Sequence, residues 1–277
     1  MIINDKHCFA FIHIPKCAGT TVRSPLEQFD SYEGTFTNRV DEHQALGQLD
    51  YQHIPLYTLR DFFKPEFEKV CDYWSFVVMR DPYTRFASSV SQHLKMYGTQ
   101  LIHRLGTPEI KAHIEQTIEF LLKQPRRNHQ LPAEYAHFQK QVDYIYLDEK
   151  QVVNSIFTVS EVDDLLRQVS AKVGHDLISE IHTEGAAHAN RSMVYRSEGI
   201  RRLLDSSRPI IGLVSRFMAE SVRNKLRSAL YVPRDLRFES LFASDYVRNF
   251  ITDYYYDDIQ LWNDITQLRV GAKEYHA

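Results

Sequence analysis

Lys16, Gly19, Thr20 and Thr21 lie close together in the stretch Phe9–Val22, FAFIHIPKCAGTTV, and their types suit the holding of an anion. The lysine brings a full charge, the threonines bring hydroxyl donors, and the glycine lets backbone come near a ligand. Such a set gains force at the start of a helix, where the first N–H groups are unpaired and the dipole is positive. The apolar run Phe9–Ile14 stops at Pro15, and an apolar residue returns at Val22. This reads as a buried strand, a tight loop and the first turn of a helix. The lysine here precedes the glycine, whereas the loop that cradles ATP has a glycine four residues ahead of a Gly-Lys-Ser/Thr run. The expected ligand is therefore a phosphate-like anion held without the ATP–magnesium arrangement. Cys17 lies in the loop and reads as a small packed residue rather than a nucleophile.

A second constellation has the same form. Trp74–Met79 is continuously apolar, as central parallel strands are, and runs into Arg80, Asp81, Pro82, Thr84, Arg85 and Ser88. Pro82 marks a helix start. On that helix Arg85 and Ser88 are one turn apart and are expected to share a face, with Arg80 just before. Arg80 and Asp81 read equally as a local salt bridge. Ligands of open α/β sheets sit at the carboxyl ends of strands, so two such junctions suit one ligand with two anionic groups.

The elements needed to position these residues fit an ordinary globular composition: 277 residues, 43% hydrophobic, 25% charged, net charge −3. No run is apolar enough to span a membrane and no signal segment opens the chain, so it reads as soluble and cytoplasmic, or as a domain trimmed of an anchor. A nucleic-acid partner is not expected from this charge. Three cysteines, Cys8, Cys17 and Cys71, form neither a disulfide framework nor a zinc pattern, and no metal is expected.

Helical spacing predicts helices over Val22–Phe29, Asp41–Asp50, the segment after Pro55, Thr107–Gln124 and Glu149–Asn154. Strands are expected at Tyr144–Leu147 and Ser155–Val159. Ser160–Asp163 reads as a capping box opening a helix that stops near Gly174. His182–Arg191 reads as a loop holding His182 and His188. Between Arg191 and Arg237 eleven Lys and Arg face four acids. That stretch reads as an amphipathic helix with a solvated basic face, or as a contact for an acidic polymer or membrane surface. Leu241–Leu268 reads as a long aromatic helix, interrupted or not, packed on the sheet. Arg126 and Arg127 form a basic pair in a surface loop.

HIPKCAGTT at 13–21 and VVMRDPYTRFASS at 77–89 together resemble the sulfotransferases that use 3′-phosphoadenosine 5′-phosphosulfate (PAPS), the carbohydrate sulfotransferase group above all. The resemblance implies an α/β, P-loop-like sulfotransferase fold with a central parallel sheet flanked by helices. It implies one domain over residues 1–277, with residues at about 196–237 as a basic helical insertion. It assigns Lys16, Cys17, Ala18, Gly19, Thr20 and Thr21 to the 5′-phosphosulfate, and Arg80 and Ser88 to the 3′-phosphate. Lys16 is the expected catalytic cation. A base is expected between the motifs: His53 fits best, His43 is the runner-up and Glu42 third. The implied reaction is in-line sulfuryl transfer to a hydroxyl, of a carbohydrate that the basic residues would let be anionic. Two other readings stay open: a nucleotide-dependent phosphotransferase, for which Asp81 is the best metal carboxylate, and a non-catalytic binding protein on the same fold.

Overall fold

The computed structural model describes residues 1–37, 39–98, 105–179, 194–195, 231–232 and 236–274. The strands are β1 (Ile2–Asn4), β2 (Phe9–Phe11), β3 (Val40–His43), β4 (Gly47–Asp50), β5 (Trp74–Met79), β6 (Tyr146–Leu147), β7 (Lys150–Gln151), β8 (Ser155–Thr158), β9 (Val194–Tyr195) and β10 (Tyr231–Val232). The helices are α1 (Gly19–Leu26), α2 (Leu56–Phe62), α3 (Lys64–Asp72), α4 (Pro82–Tyr97), α5 (Thr107–Lys123), α6 (Val162–Val173), α7 (Leu236–Phe242), α8 (Asp245–Tyr254) and α9 (Tyr256–Glu274).

The fold is α/β. A four-stranded sheet has the order β1-β2-β5-β8; β2, β5 and β8 run parallel, and β1 pairs antiparallel with β2. The expected parallel sheet is thus its centre, with an antiparallel edge. Strand side chains alternate between faces, and the core divides accordingly. Phe9, Phe11, Phe76 and Val78 pack with Val22 and Leu26 of α1 and Leu165, Leu166 and Val169 of α6. Ala10, Val77 and Met79 pack with Leu56 and Leu59 of α2 and Val70 of α3. Both faces are covered, which is why β2 and β5 read as unbroken apolar runs. Each such buried Phe or Leu contributes about 1.5–3 kcal/mol. A third cluster lies off the sheet, where Phe86, Val90 and Leu94 of α4 meet α5 and Val247, Phe250 and Ile251 of α8.

Two expected helices are replaced. Asp41–Asp50 is not helical: β3 and β4 form a hairpin, pairing Val40 with Asp50 and His43 with Gly47. Gly47 has φ +68°, a turn conformation that a helix does not use. Glu149–Asn154 is also a hairpin segment, β6–β7. Its two turn residues, Asp148 and Glu149, have φ 49° and 65°, as tight primed turns require, without the Asn-Gly signal that advertises one. The capping box belongs to Thr158, not Ser160: Thr158 N–H donates to Glu161 Oε2 at 2.7 Å. α6 ends at Gly174 as expected. The aromatic C-terminal segment is interrupted: α8 packs on α4 and α5, while Leu261, Trp262 and Ile265 of α9 pack against the core cluster that holds Ala10, Val77 and Met79 of the sheet. Residues 182–191, and 196–237 apart from Tyr231–Val232 and the backbone at the start of α7, lie outside the described residues.

Candidate active site

The loop after β2 is built to leave donors unpaired. Lys16 and Ala18 have φ 64° and 59°, a left-handed conformation that costs a non-glycine residue about 1–2 kcal/mol. Ala18 is the N-cap of α1 and provides no side-chain acceptor. Thr21 and Val22 N–H return to Ala18 O at 3.0 and 3.3 Å. The backbone N–H groups of residues 16 and 18–20 find no acceptor among the described residues. Such a run of amides at a helix start binds oxyanions. Gly19 is required for a packing reason: a Cβ there would fall 1.6 Å from His13 Nε2.

The second junction reaches the first. Arg80 follows β5, and its guanidinium donates to Lys16 O at 3.4 Å and Thr84 Oγ1 at 3.2 Å. Lys16 Nζ donates to Gln92 Oε1 of α4 at 3.4 Å. Burial, then the charges of Lys95 and Arg80, lower the Lys16 pKa to about 8. Asp81 caps α4, accepting from Thr84 N–H at 2.8 Å. Ser88 is half-buried and its hydroxyl has no hydrogen bond among the described residues.

Beside the loop lies a chain of polar groups whose proton positions can be deduced. Arg23 Nη1 donates to Gln52 Oε1 at 3.0 Å, and a guanidinium can only donate. The Gln52 amide nitrogen therefore faces His13 Nδ1, at 2.6 Å, and donates to it. His13 thus carries its proton on Nε2. Its carbonyl accepts from His53 Nδ1 at 3.0 Å, which leaves the lone pair of His53 on Nε2. Asp50 Oδ2 lies 3.9 Å from that nitrogen. Burial, then the positive charges of the N-terminal amine, Lys16 and Arg23, push the His53 pKa down to about 3, against the opposing bond to His13 O. The His137 ring lies 5.5 Å from that of His53. Its pKa is also lowered to about 3, by burial first and then by His53 and Lys16. Burial raises that of Asp50.

Asp50, His53 and His137 are the one group among the described residues whose donor atoms, all within 4.8 Å, could converge on a metal ion. The charge of Lys16 bears on both histidines and that of Arg23 on His53, which favours proton handling over cation binding there.

A family model described as "Sulfotransferase family" matches residues 1–263, a span that includes both junctions and the histidine chain. The chain belongs to the sulfotransferase family. No curated protein and no solved structure matches it.

In this sulfotransferase the residues singled out in the sequence come together unequally. Lys16 to Thr21 form one loop and helix start, and Arg80 reaches that loop. Cys17 is buried beneath it, and burial pushes its thiol up to about 12, as befits a packed residue. His53 is buried. His43 packs on Phe62 and Phe63 and accepts from Ala45 N–H; Glu42 is exposed on the hairpin. Asp81 serves as the cap of α4, accepting from Thr84 N–H. Arg85 and Ser88 lie one turn apart on α4 as expected, but Arg85 is buried, 3.7 Å from Asp258 and over the Tyr255 ring, while Ser88 is half-buried. Arg126 is engaged by Asp253 at 2.7 Å. Sequence reasoning missed Asp50, His137, Gln52 and Gln141. Asp50 precedes His53 by three residues, a weak signal; the others had none.

Proposed function

We propose that this sulfotransferase moves the sulfuryl group of PAPS to a hydroxyl, that of a carbohydrate in first place. The observation that carries the reading is the convergence of the bare amides of residues 16 and 18–20, the Lys16 ammonium and the Arg80 guanidinium on one loop. A ligand with anionic groups at both ends of a nucleoside fits that arrangement. PAPS would supply an activated sulfuryl group and a phosphate leaving group.

The protein's part is positional and electrostatic. The loop amides hold the 5′ end, and Lys16 offsets the charge growing on the leaving oxygen and the sulfuryl oxygens. Arg80 and Ser88 take the 3′-phosphate. His53 Nε2 accepts the acceptor's hydroxyl proton as the O–S bond forms and the bridging S–O bond breaks. Its Nδ1–H stays anchored on His13 O, and the nearby Asp50 carboxylate stabilises the resulting imidazolium. The His53 pKa of about 3 belongs to the free protein, where Lys16 and Arg23 press it down. An anionic donor between these charges moves it up toward the operating range.

A labelled-PAPS transfer screen against glycans, lipids and small alcohols, with Lys16→Ala as control, tests the reading. Binding of the desulfated cofactor, 3′-phosphoadenosine 5′-phosphate (PAP), should exceed that of ATP. Equal binding of the two, with Arg80→Ala inert, would favour the phosphotransferase reading. Against that reading stands Asp81, whose Oδ1 is committed to a helix cap. Labelled transfer that survives both Lys16→Ala and His53→Asn would sink the mechanism, and its absence from every acceptor would favour a binding protein.

A further inference from the structure

Gln141 is wholly buried, belongs to neither junction, and bonds to both. Its Oε1 accepts from Arg80 N–H at 3.0 Å and from Cys17 Sγ–H at 3.2 Å. Its Nε2 donates to Arg80 O at 2.9 Å. One planar amide thus grips the backbone at the end of β5 on both sides and the underside of the first loop. Its own backbone is fixed in turn. Gln141 N–H and Val142 N–H donate to the two oxygens of Asp258 on α9, at 3.0 and 2.9 Å. Asp258 is buried and sits 3.7 Å from the buried guanidinium of Arg85 on α4. The chain of contacts runs from α4 and α9 through Gln141 to both loops.

We infer that Gln141 is a positioning residue that sets the distance between the two anion-binding junctions, and so determines selection of a ligand with two anionic groups. The Cys17 thiol, held protonated by burial, is the donor that ties the first loop to this latch. The inference rests on the two-part donor site proposed above. A buried amide with three partners is costly to leave half satisfied, so its orientation is fixed. A ligand anchored at one end gains from the second anchor only if the spacing is right. Loss of the latch should therefore weaken two-ended ligands and spare one-ended ones.

The test uses Gln141→Met, which keeps length and volume and removes all three bonds. Affinities for PAP, which has phosphates at both ends, and for 5′-AMP, which has one, are measured on the intact chain by calorimetry. We expect PAP binding to fall by about tenfold or more and 5′-AMP binding to change less than about twofold. Equal loss for the two ligands, or no loss for PAP, overturns the inference. Cys17→Ala should fall between wild type and Gln141→Met on the same ratio. Wild type failing to prefer PAP over 5′-AMP would break the donor reading, and the latch is then judged by hydrogen exchange. Faster exchange at Thr21 and Val22 as well as at Arg80 in Gln141→Met supports it. Exchange confined to Arg80 overturns it.

Discussion

At the β2–α1 junction the helix start is bare, with Ala18 at the cap and two non-glycine residues at positive φ. At the β5–α4 junction the same strand-to-helix turn is satisfied by Asp81, which accepts from Thr84 N–H. The first offers an anion backbone groups that exist whatever the side chains are. The second spends its backbone on stability and offers side chains, Arg80 and Ser88. A strained, uncapped loop is tolerable because the sheet beneath it is buried on both faces. The contrast predicts that side-chain changes at the second junction act on affinity, and that at the first the single charged side chain acts on turnover.

The largest effect is expected at Lys16. Lys16→Ala should lower kcat by about 10²–10³ or more while circular dichroism stays native, because Nζ makes only a 3.4 Å bond to Gln92. The lysine's lowered pKa adds a pH signature. Its charged form is the competent one and is lost as pH rises through about 8, so kcat/KM for the donor should fall above that pH. Lys16→Arg should move the falling limb up. A flat profile to pH 10 would remove Lys16 from the reaction.

His53→Asn should reduce kcat by about 10²–10⁴, with PAP affinity within about threefold of wild type. The asparagine can still donate to His13 O but offers no base. If His43→Asn had the larger effect, the chain of proton positions through Gln52 and His13 would not be the catalytic one.

Arg80→Ala and Ser88→Ala divide the second junction. A charged hydrogen-bond donor is worth about 1.5–3 kcal/mol and a neutral one about 0.5–1.5. PAP affinity should therefore drop about tenfold to a hundredfold for Arg80→Ala and a few-fold for Ser88→Ala, with kcat at saturating donor much less changed. Loss confined to kcat in both would place these residues at the sulfuryl end.

The two junctions were legible in the sequence because each packs its information locally: an apolar strand, a helix-start residue and charged or hydroxyl groups within a dozen positions. β5 covers the apolar run Trp74–Met79 and α4 begins at Pro82, as expected. What was not legible is non-local or lacks a side-chain signature. The antiparallel pairing of β1, the bond from Gln141 to Cys17 and the approach of His137 to His53 join residues far apart in the chain, and no spacing reports them. The β6–β7 turn uses positive φ at Asp148 and Glu149, residues that seldom signal it. The burial of Arg85 was missed because helical spacing says which residues are neighbours but not which face is buried; Asp258, 173 positions later, decides that.

The smallest effect is expected at Asp81, and it separates two readings of one carboxylate. As a cap, Asp81→Ala should cost about 1 kcal/mol of stability, seen as a lower midpoint in urea, and Asp81→Asn should recover most of it because an amide oxygen also accepts from Thr84 N–H. Transfer activity and PAP affinity should stay within about twofold, since the shape of the first junction does not depend on it. As a metal carboxylate for nucleotide transfer, Asp81 would behave in the opposite way: both variants would abolish turnover, asparagine would not rescue, and stability would barely move. The side chain's geometry, one oxygen on Thr84 N–H at 2.8 Å at the first turn of α4, favours the cap. On the proposed reading, the second junction is left to work with Arg80 and Ser88 because Asp81 satisfies the helix start behind them.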